Sequence, residues 1–256
     1  ALHQTALAVG VDIRLNAPAD HIEIEANRVR GVRLRDGHQH EADVVVSGVD
    51  VTPTYRMLLP DHPAPKRILN AEQSTSGVIF YWGIRHDAPD LHLHNILWAE
   101  DYREEFRCLF EEKRIADDPT VYINIGSKTS PADAPDGAGN WFVMVNAPAG
   151  WDDKGIDQLR TRVEQKILRI TGIDVAAHRE CEHILTPNDI AYRTGSHLGA
   201  LYGPGQQQSH QRLPPPPESG PPHPGTVLCR RKRSPRRRNS LVPPQRTDHP
   251  RTHEAP

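Results

Sequence analysis

Gly31-Val32-Arg33-Leu34-Arg35-Asp36-Gly37, closed by Glu41-Ala42-Asp43-Val44-Val45-Val46-Ser47-Gly48-Val49-Asp50, is the stretch that decides the fold. Around its first half the chain alternates, with Val29, Gly31 and Arg33 against Arg30, Val32 and Leu34, the period-2 pattern of a strand with one covered face. Asp36-Gly37 is a hairpin signal, because these residue types accept positive φ at little cost. Val44-Val45-Val46 is a short continuous apolar run of the kind found in a strand buried on both faces. Two strands around a tight turn, feeding a central strand, predict part of a layered α/β domain.

Upstream, Val11 to Leu15 and His21 to Glu25 read as strands, the second with Ile22 and Ile24 on one face, and Asn27 starts a turn. Ala1 to Val9 reads as the end of a helix already under way, so the expectation is a piece that begins in mid-domain. Downstream the pattern loosens through Pro60 to Pro65 and then resumes. Gly77 to Ile84, Thr120 to Ile125 and Trp141 to Asn146 are strand-like; Glu100 to Lys113 is a charged helix with Tyr102, Phe106, Leu109 and Phe110 at helical spacing. Ile156 to Thr171 is the clearest helix, with Leu159, Val163, Ile167, Leu168 and Ile170 as its apolar stripe and Gly172 at its C-cap. This mixture predicts an α+β domain joined to part of an α/β domain.

From Pro204 the text changes character. The last 53 residues hold 10 Lys+Arg against 3 Asp+Glu and 13 of the 24 prolines, so a tail near +7 follows a body near −9, and the overall −2 describes neither. The tail contains Gln206 to Gln208, Pro214 to Pro217 and the basic block Arg230-Arg231-Lys232-Arg233-Ser234-Pro235-Arg236-Arg237-Arg238. Such a block suits nucleic acid, because Lys and Arg neutralise phosphates, and the proline run resembles a polyproline ligand. The body of roughly 200 residues is long enough for one sizeable core. Cys108, Cys181 and Cys229 lack the paired spacing of a disulfide framework or zinc site and suit a reducing compartment. No run of about 18 apolar residues occurs.

Other chemistry-bearing residues carry little. His86, His92 and His94 suggest metal, but alternate positions on one segment supply two ligands at most, and no metal site is expected. Asp117-Asp118 reads either as catalytic carboxylates or as a solvated turn before Pro119. Cys108 and Cys181 read as plain thiols, and no Ser/His/Asp constellation assigns a catalytic residue.

Taken in chain order, further segments join the opening one: Gly77-Val78-Ile79-Phe80-Tyr81-Trp82-Gly83, His94-Asn95-Ile96, Glu100-Asp101-Tyr102-Arg103-Glu104-Glu105-Phe106, Asp117-Asp118-Pro119-Thr120-Val121-Tyr122, Asn140-Trp141-Phe142-Val143, Leu185-Thr186-Pro187, and Thr194-Gly195-Ser196 through Gly199-Ala200-Leu201-Tyr202-Gly203. Across residues 1 to 203 this order resembles the bacterial-type phytoene desaturases, FAD-dependent carotenoid desaturases of the flavin amine-oxidase superfamily. The resemblance implies a fold of class α/β plus α+β: a partial FAD-binding Rossmann-like domain with a mixed-sheet substrate domain and a disordered C-terminal tail. It divides the chain into 1–60, part of the FAD-binding domain; 61–185, the substrate domain; 186–203, returning towards the FAD-binding domain; and the tail, 204–256. It implies FAD as cofactor, a long-chain carotenoid as substrate, and a cytoplasmic location peripheral at the membrane surface. Cofactor contacts fall on Ala19, through backbone where the family usually has valine, and on Gly48, Val49 and Asp50, at the strand end where open α/β sheets bind ligands. Gly77 to Trp82 and Asn140 to Val145 would line a substrate tunnel or simply pack a core. The carotenoid, the number of steps and the electron acceptor stay open.

The same resemblance implies a serine-asparagine stretch, an arginine-proline-asparagine stretch and a glycine-rich flavin motif after residue 203, none of them present as written. Read one base out, Thr226 to Ser240 become Leu-Tyr-Phe-Val-Gly-Gly-Ser-Ala-His-Pro-Gly-Gly-Gly-Ile-Pro, with permitted codons. Gln206 to Gln208 become Ser-Ser-Asn, Pro214 to Arg230 conceal Arg-Arg-Pro-Pro-Asn and Ile-Pro-Gly, and Gln245 to Glu254 become Ser-Gly-Arg-Ile-Thr-Arg-Glu-Leu. The expectation is a frameshift between Gly203 and Gln206, which makes the basic block glycine codons misread and leaves no evolved nucleic-acid partner. A truncated fragment, inactive alone, follows from it. The contrasting expectation is a non-catalytic binding domain carrying a disordered basic arm.

Overall fold

The computed structural model describes residues 1–204 and 227–229. The expected tail disorder and the base-shifted motifs therefore fall outside the described residues, apart from Pro204 and 227–229. The chain opens with α1 (Leu2–Ala8), none of whose residues is buried. The antiparallel pair β1 (Ala19–Glu25) and β2 (Arg28–Leu34) follows, joined by Ala26 and Asn27, both at positive φ, the geometry that matches strand twist in a two-residue hairpin. β3 (Gln39–Glu41) adds to β2 beyond the Asp36-Gly37 turn. At Gly31 a Cβ would stand 2.0 Å from the His40 carbonyl oxygen, so only glycine allows this approach of β2 to β3.

β4 (Val45–Ser47) comes next and pairs in parallel with Val227–Cys229, a strand inside the stretch expected to be disordered. Asp50 then caps α2 (Val51–Pro53), which runs into a π-helical turn, Thr54–Leu58. A small core of Ile22, Val29 and Leu59, backed by Ile24, Val45, Tyr55 and Leu58, holds this part together. Two expectations fail here. Val11 to Leu15 form no strand, and Val11 and Leu15 are exposed; no strand lies alongside them to complete a ladder. Val44 and Val46 are also exposed, because an apolar run becomes a buried strand only when layers cover both faces, and here only Val45 reaches the small core.

After α3 (Lys66–Leu69) the second unit begins: β5 (Ser76–Ile84), β6 (His94–Leu97), α4 (Tyr102–Arg107), β7 (Val121–Ile125), β8 (Gly139–Ala147), α5 (Ile156–Thr171), α6 (Val175–His178), β9 (Arg179–Leu185) and α7 (Pro187–Thr194). The strands form one sheet in the order β6-β7-β8-β5-β9. Every pairing is antiparallel, where a mixed sheet was expected. β6 and β9 are the strands of this sheet that the residue pattern did not reveal: both are edge strands whose exposed positions dilute the apolar alternation.

Period-2 alternation gives this sheet a committed face. Val78, Phe80, Trp82 and Ile84 of β5, Val121, Ile123 and Ile125 of β7, and Trp141, Val143 and Val145 of β8 pack in one cluster with Leu159, Val163 and Ile167 of α5. Each such side chain contributes roughly 1.5–3 kcal/mol by leaving water. Leu168 and Ile170, read as part of the same stripe, lie outside it and are exposed. Gly172 ends α5 at φ 74°, the left-handed C-cap expected.

One ion pair between a buried lysine and a half-buried carboxylate anchors α5. The Lys166 ammonium donates to Asp118 Oδ1 at 2.9 Å and to the Pro119 carbonyl at 2.9 Å. Asp118 also accepts from the Glu100 N–H at 2.9 Å and from Arg169 at 3.1 Å. Asp117 pairs with Arg162 at 3.0 Å. The two aspartates are therefore not a free catalytic pair: Asp117 is the exposed turn residue expected, while Asp118 fastens helix to sheet. Burial works to raise its pKa, but the Glu100 N–H, Lys166 and Arg169 together favour the anion and hold it below the ordinary carboxylate range. A depressed folded pKa stabilises the fold above the unfolded value, near 4, and that stability is lost as pH falls through the folded value. Asp118→Asn should therefore flatten the acid side of a urea-midpoint-against-pH curve below about pH 4. Lys166→Met, which leaves the half-exposed carboxylate to Arg169 and the Glu100 N–H, should cost about 1 kcal/mol at pH 7. An unchanged midpoint would show that the pair contributes nothing.

Candidate functional site

A cavity of about 170 Å³ sits beyond the C-terminal end of β4. Gly48, Val49, Asp50 and Val51 form one wall, and Ile190, Thr194, Ser196 and the run Ala200 to Pro204 form the other. The two walls are 147 residues apart in sequence, and a single carboxylate joins them. Asp50 Oδ1 accepts from the Thr52 N–H at 3.2 Å while Oδ2 accepts from the His197 N–H at 3.1 Å. Burial, and next the positive charge of Arg56, push the His197 imidazole below its usual pKa, with Asp50 opposing.

The second wall is shaped by its own sequence. Thr186 and Asp189 make a capping box at the start of α7, and Gly195 closes the helix at φ 65°. Gly199 has φ 70°, and a Cβ there would stand 2.1 Å from the Pro187 carbonyl oxygen, so the turn after α7 demands glycine. Ser76 Oγ donates to the Gly199 carbonyl at 2.7 Å, the Leu201 N–H to Thr75 at 3.1 Å, and the Ser74 N–H to Gly203 at 2.9 Å, which ties the wall to the entry of β5. Around Gly48 and Gly203 no heavy atom lies within 4 Å of an added Cβ, leaving bare backbone towards open space. The Thr52 hydroxyl is buried without a partner. Bare glycines, apolar Val49, Ile190 and Leu201 and a few hydroxyls fit a flat, largely apolar group approached by backbone. A cavity this small holds only part of a dinucleotide, since pockets for whole cofactors run from about 300 Å³.

Of the sequence-predicted contacts, Gly48, Val49 and Asp50 come together in this wall. Ala19 does not join them: it starts β1, opposite Leu34, exposed to solvent. Thr194, Ser196 and Leu201 carried no assigned role in the sequence, although the glycines at 195, 199 and 203 mark the tight turns that place them.

Among the described residues, the sheet face opposite α5 begins at the cavity, buried at Gly77 and Ile79 and opening to solvent from Tyr81. A Cβ on Gly77 would meet Met144 Cγ at 3.6 Å and Leu201 Cδ1 at 3.8 Å, so a cavity-lining leucine abuts the first residues of that face. By alternation the face continues through Ile79 and Tyr81, Met144 and Phe142, Tyr122, and His94 and Ile96. Tyr81 and Tyr122 both meet the Phe142 ring edge-on, at 5.5 and 6.1 Å. His94 Nδ1 is 2.8 Å from the Tyr122 hydroxyl and 3.1 Å from Asn124 Nδ2. His86 instead accepts from the Ala88 N–H, and the His92 N–H donates to Asn95, so the three histidines serve separate local bonds.

Among the described residues, Glu104, Cys108 and Glu112 lie close enough together to share an ion. The carboxylates are already held by Arg107 and Arg114. Burial first, then the Glu104 carboxylate, pushes the Cys108 thiol up to about 11, while Arg107 above all holds Glu104 down at about 2. The trio is an ion-paired surface network around a protonated thiol.

Residues 1–229 match the family model described as flavin containing amine oxidoreductase. A 1-hydroxycarotenoid 3,4-desaturase from Flavobacterium sp. (strain P99-3) is 45% identical over 207 residues, covering 79% of this chain and 42% of its own length. A 4,4'-diaponeurosporene oxygenase from Staphylococcus haemolyticus (strain JCSC1435) is 34% identical over 211 residues, and a 4,4'-diapolycopene oxygenase from Methylomonas sp is 33% identical over 209. Each again covers 79% of this chain and 42% of the relative, so the chain spans less than half the length of the curated relatives it matches.

Two outcomes check the geometry. Gly199→Ala should destabilise the second wall and raise hydrogen exchange at the Gly150 and Leu201 amides ahead of those in β5; unchanged exchange would contradict the glycine requirement. In the native protein at pH 8, peptide mapping after brief thiol labelling should find Cys181 modified and Cys108 untouched until urea is added.

Proposed function

The chain belongs to the flavin containing amine oxidoreductase family, and from that premise we propose that it is part of an FAD-dependent carotenoid desaturase. The observation that carries this reading is the continuity between the β4 cavity and the open sheet face, through Leu201, Gly77 and Met144. A polar head group needs backbone and hydroxyls, a polyene needs a long apolar surface, and here the one leads into the other. The highest identity among the relatives named above, to a protein described as a desaturase, supports desaturation over oxygenation.

In this reading residues 1–60 and 186–203 contribute to the FAD-binding part, and residues 61–185 form the substrate part. Gly48 and Gly203 let a flat ring system approach bare backbone, and Ala19 contributes through backbone at the start of β1. Asp50 is a positioning residue: each of its oxygens accepts a backbone N–H, one from each side of the cavity, so it holds the two walls together. Leu201, Met144 and Ile79 exclude water where the cavity meets the sheet. A flavin held here would supply the two-electron acceptor of the dehydrogenation, taking up both hydrogens overall, one as hydride and one as a proton, as one new C=C bond forms. The matching location is the cytoplasmic membrane surface, where such substrates reside.

The decisive experiment uses a host that accumulates a carotenoid with a saturated bond next to its conjugated chain. A coding sequence extended upstream, with one base corrected near codon 204, should lengthen the chromophore and red-shift the extracted pigment; the chain as it stands should not, and should purify without stoichiometric FAD. A corrected protein that folds, binds no flavin and leaves the pigment unchanged would overturn the proposal. In the corrected protein, Asp50→Ala should lower FAD retention about tenfold while leaving the unfolding of the β5–β9 sheet in place.

A further inference from the structure

The sequence pattern set Tyr102, Phe106, Leu109 and Phe110 at helical spacing on a charged helix. The structure divides them. Glu105, Cys108 and Leu109 face inward, and Glu105 pins the helix by accepting from the Thr120 N–H at 3.0 Å and from Thr120 Oγ1 at 2.6 Å. The aromatic residues face out: Trp98, Tyr102 and Phe106 are 60%, 49% and 38% exposed. They form a ladder with Phe110, the ring centroids 5.5, 4.9 and 5.7 Å apart in turn. Followed from ring to ring, the row spans at most about 16 Å.

We propose that this ladder is the surface by which the protein seats itself in the interfacial layer of a phospholipid bilayer. Aromatic side chains exposed in a continuous row carry a standing cost in water, and Trp and Tyr are the residues whose amphipathic rings favour the headgroup level. The charges beside the ladder fit a zwitterionic interface. Glu104 and Glu112 are neutralised by Arg107 and Arg114, and Arg103, which makes no ion pair among the described residues, lines the same groove opposite Glu111. Arg103 is placed to reach phosphate while its stem covers Phe106. A second copy of the chain is the poorer occupant, since a row one side chain wide with charged flanks falls short of the roughly 800 Å² per partner of a stable dimer.

The ladder also continues the open sheet face. His94 and Ile96 lie on that face of β6, and Trp98, two residues on, leads from it into α4. An apolar molecule leaving the bilayer at Trp98 therefore meets Ile96 and Tyr122 next. This last step rests on the carotenoid reading; the seating itself does not.

The test is co-sedimentation of the full chain with phosphatidylcholine vesicles, in the absence of flavin and carotenoid, at 0.1 and 0.5 M NaCl. The chain should pellet with vesicles at both salt concentrations. The triple variant Trp98→Ser, Tyr102→Ser, Phe106→Ser should partition at least tenfold less while keeping the same thermal midpoint. Vesicles should also blue-shift the tryptophan emission of the unmodified chain, and Trp98→Phe should abolish that shift. Four results would each overturn the proposal: no pelleting, equal pelleting of the triple variant, release at 0.5 M salt, which assigns binding to the basic residues, or a vesicle-free dimer that the triple variant dissolves. None of them bears on the flavin chemistry, which the pigment assay reads separately.

Discussion

The nine-residue antiparallel register of β5 against β8, Ser76 opposite Ala147 through Ile84 opposite Gly139, is the constraint on which the second unit depends. A strand's side chains have period two, so fixing this register sorts the neighbouring residues to one face or the other without exception. Val78, Phe80, Trp82, Trp141, Val143 and Val145 go to α5, and Ile79, Tyr81, Phe142 and Met144 go to the opposite side. The first set is spent on stability. The second forms the opposite face, where Ile79 is buried, Phe142 and Met144 are half-buried and Tyr81 is exposed, and an apolar face with exposed aromatic rings points to a ligand or partner.

A second constraint ties that surface to the chain's other unit. Asp50 accepts two backbone N–H groups, one two residues away and one 147 residues away, and thereby fixes the end of β4 against the turn that follows α7. Hydrogen bonds to a charged acceptor are stronger than neutral ones, and closing so long a loop lends the link leverage out of proportion to its size. Ser76 and Thr75 complete the junction from the side of β5. The cavity is thus a product of two long-range closures rather than of any local motif, which is why its second wall was not legible in the sequence although each of its glycines was.

What was legible follows the same division. Where a residue's fate depends on local period, the sequence pattern sufficed: α5 runs from Ile156 to Thr171 as read, β1, β2, β5, β7 and β8 fall within a residue or two of expectation, and Gly172 caps as expected. Where fate depends on what covers a face, it did not. Val44 and Val46, apolar and continuous, stand exposed because only β4's companion strand adjoins them. Tyr102 and Phe106 carry a core-like spacing, yet the helix buries the Glu105 side, since Thr120 offers that carboxylate two donors. Asp118 looked like a surface turn for the converse reason: nothing near it in sequence announces the Lys166 that reaches it from α5.

The parallel pairing of Val227–Cys229 with β4 is made by backbone. A sheet edge offers only N–H and C=O groups, and any extended triplet satisfies them, so the ladder asks little of the side chains it carries. The cavity asks for more. Bare glycine backbone lets a ligand approach closely, and Gly48 and Gly203 stand on its two walls with no heavy atom within 4 Å of an added Cβ. The ladder therefore depends on generic backbone and the cavity on glycine at particular positions, so the strand pairing tolerates changes of sequence that the ligand-facing backbone does not.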